Sequence, residues 1–383
     1  MSLRSVIFLS ASGAQFSAQV PDSKDDDFLA TDCTDYTDFW FLNNPCNPCN
    51  PRHPGLKKAR GSECRTHLSN APMKLLLIDG HYYVYRSFFA IRDLTTSSGE
   101  PVNAIYGFIK TIRRMVKDLA PDLGAVVWDM GMPQRRVALQ PAYKQQRAEM
   151  PDTMRPQLTF IQNLVPLLGF ASLSLPDTEA DDLMASYAVA ARARGDSVIL
   201  ATNDKDLFQL VNEHVKVYST NKTDLASPSD TFALLGAEAV RKKWDVTPPQ
   251  IADVLALIGD SADNIPGVPG LGPKGAATLL AIHGSLDALL ADLDAVKNER
   301  IREKLKASRE QIEQNREMVR LDLDLPLPAT LDALALRPRP AELAIELEKC
   351  EFKSLLAEVR AEAASARPAA PVSAAAPSQG ELF

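Results

Sequence analysis

Aspartates stand directly after short apolar runs of the sequence that are typical of buried β-strands. In an open α/β sheet the carboxyl ends of neighbouring parallel strands form one crevice, so these carboxylates are expected to meet at a single site. Taken singly, each has a simpler interpretation as a helix-capping or turn residue. The aspartates concerned are Asp79, Asp129, Asp204 and Asp206.

Five further acids occur in two motifs with helical spacing. Glu179, Asp181 and Asp182 open a predicted helix, and Asp260 and Asp263 lie three residues apart. Because residues three apart share one face of a helix, such pairs can flank a single ion. Acids in a first helical turn are also favoured by its free N–H groups, but three acids within four residues exceed what one helix end can use.

Nine carboxylates at one site require cations. Two unit charges about 5 Å apart repel by roughly 3 kcal/mol at an effective dielectric constant near 20. Oxygen ligands without His or Cys select hard ions, so two divalent ions are expected, with magnesium first and manganese as the alternative. Since magnesium shares its coordination sphere with phosphate oxygens, the expected substrate is a phosphate ester.

The composition excludes several other classes of protein. The 383 residues are 45% hydrophobic and 24% charged, as in globular proteins, and correspond to about two to three domains. Apolar runs are too short for a membrane span. The net charge of −7 argues against a basic nucleic-acid coat. The five Cys and five His do not cluster in the globular part, so thiol and Ser/His/Asp catalysis are not expected.

Apolar runs alternate with helical patterns from residue 73 to 235, which predicts an α/β domain with a mostly parallel sheet flanked by helices. Glycine and proline then separate short helices as far as 325, which predicts a helical subdomain. A closing helical segment at 326–362 and a flexible tail at 363–383 follow. The predicted strands are 75–78, 125–128, 197–201 and 215–218, and the predicted longer helices are 104–119, 154–168, 179–194 and 340–362.

Residues 1–72 have a different composition, with little periodicity, and are predicted to be a disordered extension. A signal peptide at the start and a zinc site built on a Cys-x-x-Cys pair are two alternatives. A third is that Met73 is the authentic start, and the sequence favours this one. The cysteines of the zinc alternative are Cys33, Cys46, Cys49 and Cys64.

Eight motifs occur in an order that points to one family. They are Asp79-Gly-His, Tyr85-Arg86-Ser-Phe-Phe, Tyr106-Gly-Phe, Trp128-Asp129, Tyr143-Lys144-x-x-Arg147, Glu179-Ala-Asp181-Asp182, Thr202-Asn-Asp204-Lys-Asp206 and Gly259-Asp260-x-x-Asp263-Asn-Ile-Pro-Gly267. This series resembles the bacterial 5′ nuclease family, which contains the 5′-3′ exonuclease domain of DNA polymerase I and is related to flap endonucleases. The resemblance covers about residues 73–320. It implies a PIN-like fold with a helical arch near 130–155 and a helix-hairpin-helix subdomain at 236–325.

The resemblance also implies roles for the acids and for two cations. Two ions would bracket the scissile phosphate, one acting on the attacking water and the other on the leaving oxygen. Lys144 and Arg147 would be catalytic and neutralise the attacked phosphate. The implied ligands are Asp79, Asp129, Glu179, Asp181 and Asp182 for the first metal, and Asp204, Asp206, Asp260 and Asp263 for the second.

Contacts with DNA are implied at the basic stretch 135–147 and at a glycine-rich turn, 267–275. Tyr143 would stack on an unpaired base, and the turn would bind phosphates and hold a monovalent cation such as potassium. The alternatives are a solvated charged loop and a simple connecting turn. One departure from the family is Met130-Gly-Met132, where relatives usually carry a lysine. The implied DNA-binding residues are Arg86, Arg135, Arg136, Tyr143, Gly267, Gly270, Gly272, Lys274 and Gly275.

The last residues, Gln379-Gly-Glu-Leu382-Phe383, resemble peptides that bind bacterial sliding clamps. A sliding clamp is therefore a further expected partner.

The family resemblance implies a stand-alone, cytoplasmic, monomeric 5′-3′ exonuclease or flap endonuclease. It would need divalent metal and act on nicked or branched DNA in primer removal and repair. One alternative is a junction-binding scaffold with little catalysis. Another is an RNA-cleaving relative of the PIN type, which would lack the glycine-rich turn.

Overall fold

The computed structural model describes residues 71–227 and 229–365, together with the backbone of two strands near the start of the chain. Those strands, β1 (Val6–Leu9) and β2 (Gln15–Ala18), pair antiparallel within the unit Met1–Asn70. The remaining residues form the unit Ala71–Phe383. The predictions for the N-terminal cysteines and for Gln379, Leu382 and Phe383 lie outside the described residues.

A six-stranded sheet forms the centre of the second unit, in the order β5-β4-β3-β6-β7-β8. All neighbours are parallel except β7 and β8, which confirms the predicted mostly parallel α/β sheet. The last strand is too short and too polar in its surroundings to stand out in the sequence. The strands are β3 (Lys74–Asp79), β4 (Leu123–Val127), β5 (Ala171–Leu173), β6 (Ser197–Ala201), β7 (Val215–Ser219) and β8 (Ala233–Leu235).

Strand β3 lies between β4 and β6, so the chain changes direction across the sheet at this strand. In the register, Asp79 is opposite Val127 of β4, and Ile78 is opposite Ala201 of β6. The residues that follow all three strands therefore emerge at one edge. Such a switch point is where open α/β sheets bind ligands.

Helices cover both faces of the sheet because successive residues of β3 point to opposite sides. Leu75 and Leu77 belong to one hydrophobic core, and Leu76 and Ile78 belong to the other. All four side chains are fully buried. The helices of this part are α1 (Gly80–Ala90), α2 (Asn103–Leu119), α3 (Gln134–Leu139), α4 (Arg155–Leu164) and α5 (Ala180–Arg194).

A helical region follows, and the core that contains Leu75 continues into it. A short antiparallel pair, β9 (Gly259–Asp260) and β10 (Ile265–Pro266), interrupts the helices. The predicted closing helix is two helices, because Glu351 adopts a left-handed conformation with φ of 58°. None of the described helices has the length and apolar character needed to cross a membrane. The helices are α6 (Ala237–Trp244), α7 (Ile251–Ile258), α8 (Pro273–His283), α9 (Leu286–Ala291), α10 (Glu299–Ala307), α11 (Arg309–Val319), α12 (Pro340–Glu348) and α13 (Lys353–Ser365).

Candidate metal centre

Hydrogen bonds fix the acids at the carboxyl ends of β3 and β6. Asp79 caps helix α1, its Oδ1 accepting from the amide of Tyr82 at 3.0 Å, while its Oδ2 accepts from the Thr202 hydroxyl at 3.2 Å. The same hydroxyl accepts from the amide of Asp204 at 3.0 Å, and Asp204 accepts from the amide of Asp206 at 2.8 Å. The two strand ends are thus joined through one threonine.

Asp129, after β4, is held by the neighbouring chain. Its Oδ1 accepts from the amide of Ala180 at the start of α5, at 2.8 Å, and its Oδ2 lies 3.1 Å from Nδ1 of His81. Burial, the largest effect, would raise the pKa of Asp129, but the hydrogen bond and charge of His81 outweigh it and lower the pKa to about 2. Asp129 therefore stays ionised at neutral pH, and the pKa of His81 is raised in return despite its burial.

Four carboxylates, those of Asp79, Asp129, Asp181 and Asp204, form a first group whose members repel one another. Burial and then the charge of Asp129 raise the pKa of Asp79 to about 7. Burial raises the pKa of Asp181 well above its usual value, and the charges of Asp204, Asp79 and Asp129 raise it further. These four acids therefore lie within electrostatic reach of each other, as the strand ends predict.

A second group shares Asp204 with the first. Burial raises the pKa of Asp206 well above its usual value, and the charges of Asp204, Asp260 and Asp263 add to the effect. Burial also raises the pKa of Asp204, with contributions from Asp263 and Asp260. One cation at this group is Lys205, whose Nζ lies 2.7 Å from Asp260. Lys205 was missed in the sequence, although it stands between two predicted ligands.

Two carboxylate oxygens in these groups lack a partner. Oδ1 of Asp181 and Oδ1 of Asp206 are shielded from solvent and accept no hydrogen bond from the described part of the chain. A buried anionic oxygen without a partner is costly, and a divalent cation supplies the missing interaction. The arrangement therefore fits a metal.

The protein ligands do not complete a metal site by themselves. Among the residues that the structure describes, no three His, Cys, Asp or Glu side chains converge closely enough to hold one ion. Magnesium keeps several waters and is commonly bound by one or two carboxylates together with substrate phosphates. An incomplete, all-oxygen set fits a hard ion of this kind better than a caged structural metal.

Asp182, a predicted metal ligand, lies instead in a buried ion pair with Arg136. The guanidinium donates to both Asp182 oxygens, at 2.6 and 2.9 Å, and also to Glu179. The amide of Asp322 donates to Asp182 as well, at 2.9 Å. Asp182 is only 1% exposed, so its oxygens are already occupied by protein donors. The structure thus corrects the interpretation of Asp182 as a ligand, and also that of Glu179, whose buried oxygens accept from Arg136, Lys144 and Tyr143.

The structure likewise corrects the prediction that Arg136 contacts DNA. Arg136 is 3% exposed, since it points inward from the short helix α3. Its other N–H groups donate to the carbonyl oxygens of Met318 and Arg320, at the end of α11, where helical carbonyls lack partners. A buried guanidinium needs such compensation, and its partners are too distant in sequence to be recognised from a motif.

Tyr143 is also corrected. It is 4% exposed, and its hydroxyl lies 3.1 Å from Glu179 and 3.2 Å from Asp263, so its ring is not available to stack on a base. The adjacent Lys144 pairs with Glu179 and lies 3.6 Å from Asp263. Arg147 reaches Asp263 at 2.7 Å while its side chain remains half exposed. Lys144 and Arg147 therefore border the second carboxylate group.

The other predicted DNA-binding cations differ in accessibility. Arg135 donates to the carbonyl oxygens of Glu317 and Arg320, which occupies much of its guanidinium. Arg86 is exposed and donates to the Tyr82 hydroxyl at 2.9 Å. Lys274 is exposed in the first turn of α8. Arg86, Arg147 and Lys274 are thus the predicted cations that present charge to solvent.

The glycines of the predicted phosphate-binding turn have different roles. A Cβ on Gly267 would lie 1.9 Å from the carbonyl oxygen of Ile258, so this glycine is required for packing against α7. Gly270 adopts a φ of 77°, a conformation that favours glycine. Gly272 has open space around it, and Gly275 packs against Leu271. The predicted potassium ion stays a prediction.

An α/β sheet with buried acids at one edge, followed by a helical region, defines the class of nuclease expected from the sequence. A family model described as 5′-3′ exonuclease, N-terminal resolvase-like domain, matches residues 74–245. A second, described as 5′-3′ exonuclease, C-terminal SAM fold, matches residues 246–342. The chain belongs to the 5′-3′ exonuclease family, and the prediction of a phosphodiester-cleaving enzyme is confirmed.

Two similar proteins support this membership. A 5′-3′ exonuclease of Aquifex aeolicus is 37% identical over 286 residues, which cover 74% of this chain and 94% of the relative. A thermostable DNA polymerase I of Thermus thermophilus is 42% identical over 285 residues, again 74% of this chain. The chain spans about a third of the length of that polymerase.

Solved structures share the fold. A flap endonuclease of bacteriophage T5, in a pseudo-enzyme–product complex with DNA and metal ions, superposes with a TM-score of 0.54 at 21% identity, covering 76% of this chain and 98% of that one. The catalytic core of Rad2 in complex with DNA substrate has a TM-score of 0.52 at 14% identity, covering 76% and 92%. These similarities confirm the fold.

Proposed function

We propose that this protein is a divalent-metal-dependent 5′-3′ nuclease that hydrolyses phosphodiester bonds at 5′ ends or flaps of nicked or branched DNA. The observation that carries the proposal is the pair of buried, unpartnered oxygens of Asp181 and Asp206 within a series of mutually repelling carboxylates. Membership of the 5′-3′ exonuclease family supports the same reaction.

One ion would be held by the first group, and the other by the second. When bound, the ions would neutralise the attacked phosphate and lower the pKa of the attacking water. Glu179 and Asp182 act differently here from the other acids, since they bind Arg136. The acids that would surround one ion, some directly and the rest through its bound waters, are Asp79, Asp129 and Asp181, and those around the other are Asp204, Asp206, Asp260 and Asp263.

Other side chains of this protein prepare the site. His81 keeps Asp129 ionised, and the Thr202 hydroxyl orients Asp79. Lys144 and Arg147 place positive charge at the edge of the second group, where they would stabilise a phosphate that gains charge in the transition state. These positions agree with the catalytic roles predicted for Lys144 and Arg147.

DNA is the proposed partner. The exposed cations Arg86, Arg147 and Lys274 supply charge for backbone phosphates. Solved proteins of the same fold have been crystallised with DNA and with metal ions, which supports this assignment. The sliding clamp, the monomeric state, the cytoplasmic location and the identity of the metal as magnesium or manganese stay predictions.

The test is cleavage of a 5′-labelled DNA flap, with magnesium and with a chelator. We expect cleavage only with magnesium. The variant Asp206→Asn should cleave at least about 100-fold more slowly, by analogy with the loss seen when metal-site groups are changed, while still binding the flap. Asp152→Asn is the matched control, because the Asp152 side chain is fully exposed and its one ion pair is with Arg155, at 3.7 Å.

Three outcomes would contradict the proposal. Cleavage by Asp206→Asn at the wild-type rate would exclude its role as a ligand. Tight binding of the flap by the wild-type protein without cleavage would favour a junction-binding scaffold. Faster cleavage of single-stranded RNA than of the DNA flap would favour a nuclease of the PIN type.

A further inference from the structure

A lysine from a later helix reaches the glycine-rich turn between β10 and α8. Nζ of Lys304, on α10, donates to the carbonyl oxygen of Pro269 at 2.6 Å, across 35 residues of sequence. Pro269 and Gly270 are both exposed, so the ammonium lies at the surface of the turn. The sequence does not single out Lys304, which stands in a run of alternating charges.

The charge of Lys304 is not neutralised by an acid. In the ranges that the structure describes, no carboxylate oxygen lies within 4 Å of its Nζ, whereas its helical neighbours are paired. Arg302 lies 3.7 Å from Glu303, and Lys306 lies 2.8 Å from Asp294. An ammonium has three donors, and the Pro269 carbonyl uses one of them.

Gly270 keeps the ammonium accessible from the turn. A Cβ on this residue would lie 2.9 Å from Nζ of Lys304, closer than ordinary contact allows. Lys274 is exposed four residues further on, at the start of α8. The turn therefore combines two basic side chains with a backbone that a large anion can approach closely.

We propose that Lys304 contacts a phosphate of duplex DNA at this turn. The inference rests on the proposed function and extends its DNA interface to a residue outside the predicted set. The Pro269 carbonyl fixes the ammonium in place, so little side-chain freedom is lost when the phosphate binds. The same contact gives this turn carbonyl a cationic partner from within the protein, at the turn where a potassium ion was expected.

Salt dependence of binding tests the contact. The affinity of the full-length protein for a nicked duplex with a 5′ flap is measured by fluorescence anisotropy between about 50 and 300 mM KCl, without divalent metal. In Lys304→Met the slope of log affinity against log salt should be smaller by about 1, and affinity near 0.1 M salt should fall about fivefold to tenfold. Lys304→Arg should keep the wild-type slope.

Lys306→Met is the matched control, since it removes a lysine from the same helix whose ammonium already pairs with Asp294. Its slope should equal that of the wild type. Lys304→Gln removes the charge but keeps a donor for the Pro269 carbonyl. Its slope should be reduced by the same amount of about 1, and this variant provides the test if Lys304→Met folds poorly.

An unchanged slope in Lys304→Gln would overturn the inference, as would an equal loss in Lys306→Met. Flap cleavage with magnesium separates this failure from failure of the proposed function. If the wild type cleaves the flap and the salt slope of the variants is unchanged, only the Lys304 contact is refuted. If the wild type does not cleave the flap but the variants show the expected change in slope, only the proposed function is refuted.

Discussion

The stability of the metal-free protein should depend on the ionisation of Asp79. Its pKa is raised from 3.8 to about 7, first by burial and then by the charge of Asp129, so folding favours the protonated form. The contribution is fully present below the unfolded-state pKa and is lost as the pH rises through about 7. At 1.36 kcal/mol per pH unit, the free energy of unfolding falls by up to about 4 kcal/mol across this range.

Asp79→Asn removes this titration while keeping an oxygen that can accept from the Tyr82 amide. In a chelating buffer, urea unfolding at about pH 5 and pH 8 should give a smaller difference for Asp79→Asn than for the wild type. Asp152→Asn, whose side chain is fully exposed, should match the wild type. Because metal ligands bind in their deprotonated form, magnesium should reduce the wild-type pH dependence.

Other groups titrate as well, since the pKa values of Asp181, Asp204 and Asp206 are also raised by burial, so the difference between the wild type and Asp79→Asn carries the test. The pKa of Asp129 is lowered to about 2, so the stability that it contributes is lost only on acidification, below this pH range. Burial lowers the pKa of His81, but Asp129 and, to a smaller extent, Asp79 raise it, so the stability that His81 contributes falls with rising pH and falls less in Asp79→Asn, in the same direction as the expected difference. Parallel pH dependence in the wild type and in Asp79→Asn would refute the reasoning.

Two further predictions concern buried groups. Arg136→Met leaves Asp182 without its cation and Glu179 with Lys144 alone, so urea unfolding at neutral pH should show a loss of about 3–5 kcal/mol, and a loss under 1 kcal/mol would contradict the assignment. Gly267→Ala places a Cβ 1.9 Å from the Ile258 carbonyl oxygen and should lower the thermal midpoint sharply, whereas Gly272→Ala has open space and should leave it nearly unchanged; equal midpoints would be the contrary result.

Strand ends were predictable because the pattern that creates them is local. The run that precedes Asp79 is apolar and short, and Asp79 becomes the last residue of β3. The two-residue strands β9 and β10 could not be foreseen, since Gly259–Asp260 and Ile265–Pro266 carry no alternating pattern. Their pairing depends on Asn264, which adopts a φ of 62° in the intervening turn.

The split among the acids could not be read from their spacing. Asp181 and Asp182 are adjacent in sequence, yet Asp181 has an unpartnered buried oxygen, whereas both oxygens of Asp182 accept hydrogen bonds from Arg136. Adjacent residues of a helix point about 100° apart, so they meet different surroundings. Only the tertiary contact that brings Arg136, on α3, against Asp182 decides which of the two is free to bind a cation.

The sequence by itself determined the α/β class, the order of the motifs and the edge of the sheet at which acids gather, because each depends on short-range hydrophobic pattern and on the geometry of parallel strands. The tertiary structure alone decided that Arg136 and Tyr143 are interior residues and that Lys304 reaches the Pro269 turn. Charged side chains are long, and the partner that compensates each charge is chosen by packing between elements far apart in the chain.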